Sequence, residues 1–131
     1  MKRLLFTFAL ILLTASIATA QEKGASFAIE GETVHDFGEV KEADGPATHT
    51  FIVKNEGDAP LIISRIVPAC GCTLPEWTKE PIAPGKTGEI KVSYDTKNRP
   101  GPIGNKSVSV YSNGHTGSIV LYINGTVIPN R

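Results

Sequence analysis

The chain has 131 residues, and its 13 Lys and Arg residues balance 13 Asp and Glu residues at no net charge. This length is enough for one domain. The lack of a basic excess excludes the electrostatic surface by which proteins bind nucleic acid.

The first 20 residues have the pattern of a secretory signal peptide. Lys2 and Arg3 form a positive start, residues 4–17 are mostly apolar, and the small residues 18–20 precede a cleavage point. The apolar run is shorter than the roughly 20 residues of a membrane-spanning helix, and no Cys follows it that could carry a lipid anchor. We therefore expect Gln21 to become the N-terminus of a soluble, periplasmic or secreted protein with no transmembrane segment.

The mature chain, residues 21–131, is predicted to form one domain. It keeps 11 basic and 13 acidic residues, a net charge of −2, because Lys2 and Arg3 are lost with the signal peptide. Its 111 residues are enough to bury a core without disulfide staples. The two cysteines are therefore not needed as a structural framework.

The start of the mature chain contains short strand patterns. Residues 21–26 are small or polar and predict a frayed terminus. Residues 27–29 and 33–37 predict a short, broken first strand that ends at Gly38. A polar turn is expected over residues 39–46.

Two stronger strands follow. Residues 48–54 are rich in β-branched and aromatic side chains, which predicts a strand. Residues 55–60 gather turn-favouring residues. Residues 61–67 are apolar on both faces, which predicts a central, well-covered strand.

The second half alternates strands with turns. After the cysteines, residues 74–88 contain three prolines and two glycines, which predicts a loop. Residues 88–94 alternate, so that Ile90, Val92 and Tyr94 are expected to face inward. The remaining elements are a loop over 95–104, a strand over 106–111, a turn at 113–114 and a long last strand over 117–128. In that last strand, Ile119, Leu121 and Ile123 share one face, and Gly125 is expected to mark a bulge.

This pattern gives about seven short strands between turn signals and no helical periodicity. It predicts an all-β fold, an immunoglobulin-like antiparallel β-sandwich. The Cys…Trp…Cys spacing of antibody domains is absent, so the chain is outside that disulfide-bonded class.

Several short segments together resemble a family common in exported bacterial proteins, domain-of-unknown-function family 1573. The resemblance extends from about residue 33 to residue 127, and it is most specific in an Asn-x-Gly-x-x-Pro-Leu string followed by Cys-Gly-Cys-Thr. The segments are His35-Asp36-Phe37-Gly38, residues 51–61, Cys70-Gly71-Cys72-Thr73, residues 81–85 and Tyr111-Ser112-Asn113. The family is similar to immunoglobulin-like domains of cilium, centrosome and sperm-type proteins. The resemblance implies the same sandwich and no established activity.

The Cys70-Gly71-Cys72 segment has three interpretations. The first is a disulfide, for which an extended backbone would set the Cα atoms about 6.6–7 Å apart unless Gly71 adopts a positive φ. The second is a soft metal site, since two thiolates at this spacing suit Cu(I). The third is structural packing of small, buried side chains. We predict that the cysteines are paired, because exported proteins meet an oxidising compartment and no third cysteine is present.

Other candidate residues are few. Trp77 is the only Trp, and it is expected either to cap the core beside the cysteines or to serve as an exposed binding anchor. His35, His49 and His115 lie on different predicted segments without metal-binding spacing, which favours surface positions. Catalytic motifs such as G-x-S-x-G and H-E-x-x-H are missing, and no cofactor is expected.

The sequence therefore predicts an exported, non-enzymatic immunoglobulin-like binding or assembly module with an unknown protein partner in the cell envelope. A further possibility is a structural role as one link in a surface assembly, distinguished by a self-associating edge strand. The alternative is a thiol-redox or Cu(I)-binding protein that acts through Cys70 and Cys72.

Overall fold

The computed structural model describes residues 24–130, and the strands in that range account for nearly all of its regular structure. A single 3-10 turn, Glu42–Asp44, is the exception in the described range. The strands are β1 Phe27–Glu30, β2 Val34–Lys41, β3 Ala47–Asn55, β4 Ile63–Pro68, β5 Thr73–Trp77, β6 Thr87–Tyr94, β7 Gly101–Pro102, β8 Lys106–Ser112 and β9 Ser118–Ile128. The predicted signal peptide and the new terminus at Gln21 lie outside the described residues.

The strands form two packed sheets. One has the order β1-β3-β6-β5, and the other has the order β2-β9-β8-β4 with β7 beside β9. Neighbouring strands are antiparallel except for β2 and β9, which run parallel. This order matches the constant-type immunoglobulin topology with β2 added at one edge. The predicted all-β sandwich is confirmed.

The core lies between the sheets and is built from alternate residues of each strand. On β6, Ile90, Val92 and Tyr94 are buried, as the alternation predicts. On β9, Leu121 and Ile123 are buried and Ile119 is packed against the same cluster. Period-two patterning therefore located the inward face of both strands correctly.

The prediction of a central strand over residues 61–67 is wrong. Strand β4 pairs only with β8 and lies at the edge of its sheet. Ile62 and Val67 are exposed, while Ile63 and Ile66 face the core. A run that is apolar on both faces predicts burial on both faces, but the outward residues of this run belong to an exposed surface.

The predicted first strand is in fact two strands in different sheets. Strand β1 pairs with β3, whereas β2 pairs with β9 and continues through Gly38 to Lys41. The register shifts between Asp36 and Glu39, so the extra residue lies on β2 and not on β9. Gly38 has φ +67°, and a Cβ on the facing Gly125 would lie 2.9 Å from the Gly38 carbonyl oxygen. A bulge is therefore present, but it lies on β2, and Gly125 lies opposite it on β9.

The segment after the cysteines is not all loop, because Thr73–Trp77 forms β5 and pairs with β6. Its prolines concealed the strand. Pro75 is tolerated because β5 is the edge strand of its sheet, where a missing backbone N–H disrupts no inner ladder.

Asn55 organises the turn that follows β3. Its side chain is fully buried, and its Oδ1 accepts the backbone N–H groups of Ser26 and Gly57 at 3.2 and 3.0 Å. Its Nδ2 donates to the carbonyl oxygens of Ala59 and Ile82 at 2.7 and 2.9 Å. Both donors and two acceptor positions of the amide are thereby satisfied, which explains why an Asn stands first in the Asn-x-Gly string.

The expected fraying of residues 21–26 is wrong for the part that the structure describes. Ala25 is buried, and the Gly24 N–H donates to Asp58 Oδ1 at 2.6 Å. A Cβ on Gly57 would clash with the backbone of Gly24 and Ser26. Glycine is therefore needed at position 57 because the start of the domain passes directly over it.

Candidate functional site

The cysteines lie at the corner where the chain passes from β4, the edge of one sheet, to β5, the edge of the other. Residues 70–73 form a turn in which the Thr73 N–H donates to the Cys70 carbonyl at 3.2 Å. The Cα atoms of Cys70 and Cys72 are 5.2 Å apart, and their sulfurs are joined as a disulfide. This spacing lies within the ordinary disulfide range. The turn shortens the span, and Gly71 is not in the left-handed region.

The two sulfurs have different surroundings. Cys72 is 2% exposed and belongs to the core cluster, whereas Cys70 is half-buried at its margin. The Cys72 N–H donates to Cys70 Sγ at 3.0 Å. Thr73 Oγ1 lies 3.8 Å from Cys72 Sγ, and its hydroxyl is the donor because a disulfide sulfur carries no hydrogen.

Trp77 is half-buried and packs against the core from the far end of β5. It is about 13 Å along the strand from Thr73, so it does not lie beside the cysteines. Lys79 Nζ is 3.0 Å from the centroid of its ring, a cation–π contact. Packing against the core agrees with one of the two expected roles, and a binding role for Trp77 stays a prediction.

Sequence reasoning missed a contact between two histidines. The rings of His35 and His49 stack at 3.6 Å with a 7° interplanar angle, and each meets a Phe edge-on two residues further along its strand. Burial, and then the neighbouring His35, hold the pKa of His49 below its ordinary value. The two His-x-Phe triplets, 35–37 and 49–51, were the available signal that both histidines occupy inward-facing positions.

The histidine pair opens onto a cavity of about 290 Å³ between β2 and β3, which Glu30 and Glu32 also line. Within residues 24–130, no group of three or more His, Cys, Asp or Glu side chains is placed to hold a metal ion. Metal binding at the cysteines stays a prediction from the sequence.

One outer face of the sandwich carries an exposed apolar surface. On the five-stranded sheet, the register places Val34, Tyr122 and Ser107 in one row. Val120, Ser109 and Val67 form the next row. We call these six residues the outer patch. Its three valines and Tyr122 each expose between 38 and 45% of their surface.

The outer patch contains no charged side chain. The row beyond Val120 adds Arg65, and the row beyond Tyr122 adds the exposed Asp36. The Arg65 guanidinium lies 4.3 Å from the centroid of the Tyr111 ring, so this cation covers an aromatic face. The outward face of the four-stranded sheet differs, since it alternates charge of both signs between apolar and hydroxyl residues. Its charged residues are Glu30, Lys54, Glu76, Glu89 and Lys91.

No helix among residues 24–130 has the length and hydrophobicity needed to cross a membrane. This finding concerns only the described part of the chain.

Comparison with known proteins identifies the family. A solved protein of unknown function from Porphyromonas gingivalis W83 matches with a TM-score of 0.67 and 13% identity, over 83% of this chain and 50% of that one. The YadV chaperone matches with a TM-score of 0.54 and 14% identity, over 81% of this chain and 53% of that one. The chain thus spans about half the length of these structures, and at such identity they share its fold alone. No curated protein matches. The family model described as "Protein of unknown function (DUF1573)" matches residues 28–127, and the chain belongs to this family.

Proposed function

We propose that this protein is an exported, non-enzymatic module that binds a protein partner of the cell envelope through the outer patch. The observation that carries the proposal is the contrast between the two outer faces. The outer patch exposes three valines and a tyrosine without a charged residue among its six members, and its face carries charge only beyond them. The opposite face carries charged residues of both signs throughout.

The composition of the outer patch is that of an interface centre. Charged residues are depleted and aromatic residues are enriched at the buried core of protein interfaces, and contiguous exposed apolar surface is uncommon on monomers without a binding role. The patch side chains are also mostly stiff. Valine has few χ1 rotamers to lose, so burying it against a partner costs little side-chain entropy.

Export rests on the signal-peptide pattern of residues 1–20. N-terminal sequencing of the product recovered from the periplasm or the medium should give Gln21 as the first residue. An intact Met1 on a membrane-bound product would refute this part of the proposal.

Affinity capture from cell-envelope extract tests binding. We expect the wild-type chain to recover a stoichiometric protein partner and the variant Val120→Lys, Tyr122→Lys to lose it. The matched control is Thr48→Lys, Thr50→Lys, which adds the same two charges at exposed positions, also two residues apart on one strand, on the opposite outer face. Equal recovery by both variants would exclude the outer patch as the contact surface.

A role as a self-associating link in a surface assembly makes a different prediction. Light scattering of the purified chain would then show oligomers, whereas a module that binds a different protein stays monomeric. Catalytic turnover by the purified protein on an envelope substrate would overturn the non-enzymatic assignment altogether.

A further inference from the structure

We propose that Cys70 and Cys72 exchange their disulfide with a dithiol protein, with Cys70 as the sulfur that is attacked and Cys72 as the buried leaving sulfur. This activity goes beyond partner binding, and of the outer patch it involves only Val67. It rests on three differences between the two cysteines: access, hydrogen bonding and flanking surface.

Access favours Cys70. Cys72 is 2% exposed, so an external thiolate cannot reach its sulfur without opening the core. Cys70 is half-buried, and the residue between the two cysteines is an exposed Gly71. A Cβ built on Gly71 would meet no atom within 4 Å. An incoming side chain therefore approaches Cys70 over open space.

Hydrogen bonds prepare both sulfurs to carry charge. The Cys72 N–H already points at Cys70 Sγ at 3.0 Å, and a donor to the charged form stabilises a thiolate. The Thr73 hydroxyl lies 3.8 Å from Cys72 Sγ, where it can donate to the thiolate that departs on that side. Thr73 is itself buried, so no water competes for this contact.

The exchange takes two steps. A thiolate of the partner attacks Cys70 Sγ, a new S–S bond forms to Cys70, and the Cys70–Cys72 bond breaks with its electron pair leaving on Cys72, which takes a proton from solvent. The partner's second thiolate then attacks the partner's first sulfur, which is bonded to Cys70 in the mixed disulfide. This step releases the Cys70 thiolate, which is protonated in turn. The partner dithiol loses two electrons and becomes a disulfide, while this chain gains two thiols.

Apolar residues flank the turn on both sides. Val67, three residues before Cys70, is 45% exposed, and Leu74, two residues after Cys72, is 62% exposed. Val67 is the next-to-last residue of β4 and Leu74 is the second residue of β5. A partner can therefore rest its own apolar surface beside the disulfide while its thiolate reaches Cys70.

The first test compares single-thiol variants. Cys72→Ser leaves only Cys70, and Cys70→Ser leaves only Cys72. In the folded proteins we expect the Cys70 thiol to react with the disulfide reagent 5,5′-dithiobis(2-nitrobenzoic acid) at least about tenfold faster, because reactivity follows exposure and thiolate character. The difference should vanish in urea. Equal folded-state rates, or faster reaction of Cys72, would overturn the assignment.

A second test uses the wild-type chain and does not depend on either variant folding. Freshly exported protein should contain no alkylatable thiol, and brief treatment with reduced thioredoxin as the dithiol probe should expose two. Limited alkylation of the product, located by peptide mass spectrometry, should mark Cys70 before Cys72. Two thiols before treatment, or none after excess thioredoxin, would overturn the exchange.

Thr73→Val separates exchange chemistry from simple exposure. The variant keeps the size of the side chain and removes the hydroxyl, so we expect several-fold slower reduction by thioredoxin. In the Cys72→Ser background, the same substitution should leave the reaction rate of Cys70 unchanged. If thioredoxin reduces Thr73→Val as fast as the wild-type chain, Thr73 has only a packing role and does not assist the leaving sulfur.

Discussion

Replacing Asn55 by Ala should destabilise the domain more than any surface substitution. The Asn55 side chain makes four hydrogen bonds, two as acceptor and two as donor. Each contributes about 1 kcal/mol net, so their loss should cost about 4 kcal/mol. A domain of this size is stable by roughly 5–15 kcal/mol, and the substitution therefore removes a large share of the total.

Equilibrium unfolding in urea measures this cost. With a slope of about 2 kcal/mol per molar urea, the midpoint should fall by about 2 M. Thr50→Ala is the matched control, because Thr50 lies on the same strand and is exposed. The control should shift the free energy of unfolding by less than about 0.5 kcal/mol. A loss below about 1 kcal/mol in Asn55→Ala would refute the claim that this amide holds the turn together.

Three further substitutions or treatments test other parts of the structure. Burial, and then the neighbouring His35, lower the pKa of His49 from 6.5. The neutral His49 side chain therefore contributes its full stability above that pH, and this contribution is lost as the pH falls toward the lowered folded-state pKa. His49→Gln should accordingly reduce the drop in melting temperature between about pH 7 and pH 5. Gly57→Ala should lower the free energy of unfolding by about 1–3 kcal/mol. Gly71→Ala should leave the free energy of unfolding unchanged, because the added Cβ points into open space. Equal losses in the two variants would contradict the packing around Gly57. Reduction of the disulfide should leave the circular dichroism spectrum unchanged because the closed loop is small, and unfolding on reduction would contradict that.

The sequence predicts the sandwich because a period of two residues identifies the inward face wherever the outward residues are polar. Strand β6 shows this best, since Ile90, Val92 and Tyr94 alternate with Glu89, Lys91 and Ser93. Where the outward residues are also apolar, the same rule fails. Residues 61–67 predict a covered strand by this rule, yet Val67 is part of the outer patch on an edge strand.

Contacts between the two sheets could not be predicted from the sequence, for a different reason. His35 and His49 stack across the two sheets, and periodicity gives the face of each residue but not the register of one sheet over the other. The same limit applies to Gly57, whose neighbours Gly24 and Ser26 are more than 30 positions earlier in the chain. The sequence shows each of these residues, but the physical reason for each one follows only from the folded structure.

The cysteine turn shows both outcomes at one place. The possibility of a bond follows from Cys70-Gly71-Cys72 alone, whereas strand β5 directly after the cysteines is concealed by its prolines. The inequality of the two sulfurs does not follow from the sequence, because Cys72 is buried by core residues from distant strands. Spacing therefore finds the pair, and only the packing around it assigns a role to each sulfur.

Site-specific photo-crosslinking tests the central claim most directly. The chain is exported with p-benzoylphenylalanine at position 122, in place of the outer-patch Tyr122, or at position 48, in place of the exposed Thr48 on the opposite face. Irradiation of intact cells should join the first protein to a discrete envelope partner and leave the second without that adduct. An adduct of equal yield from both positions, or from position 48 alone, would contradict binding through the outer patch.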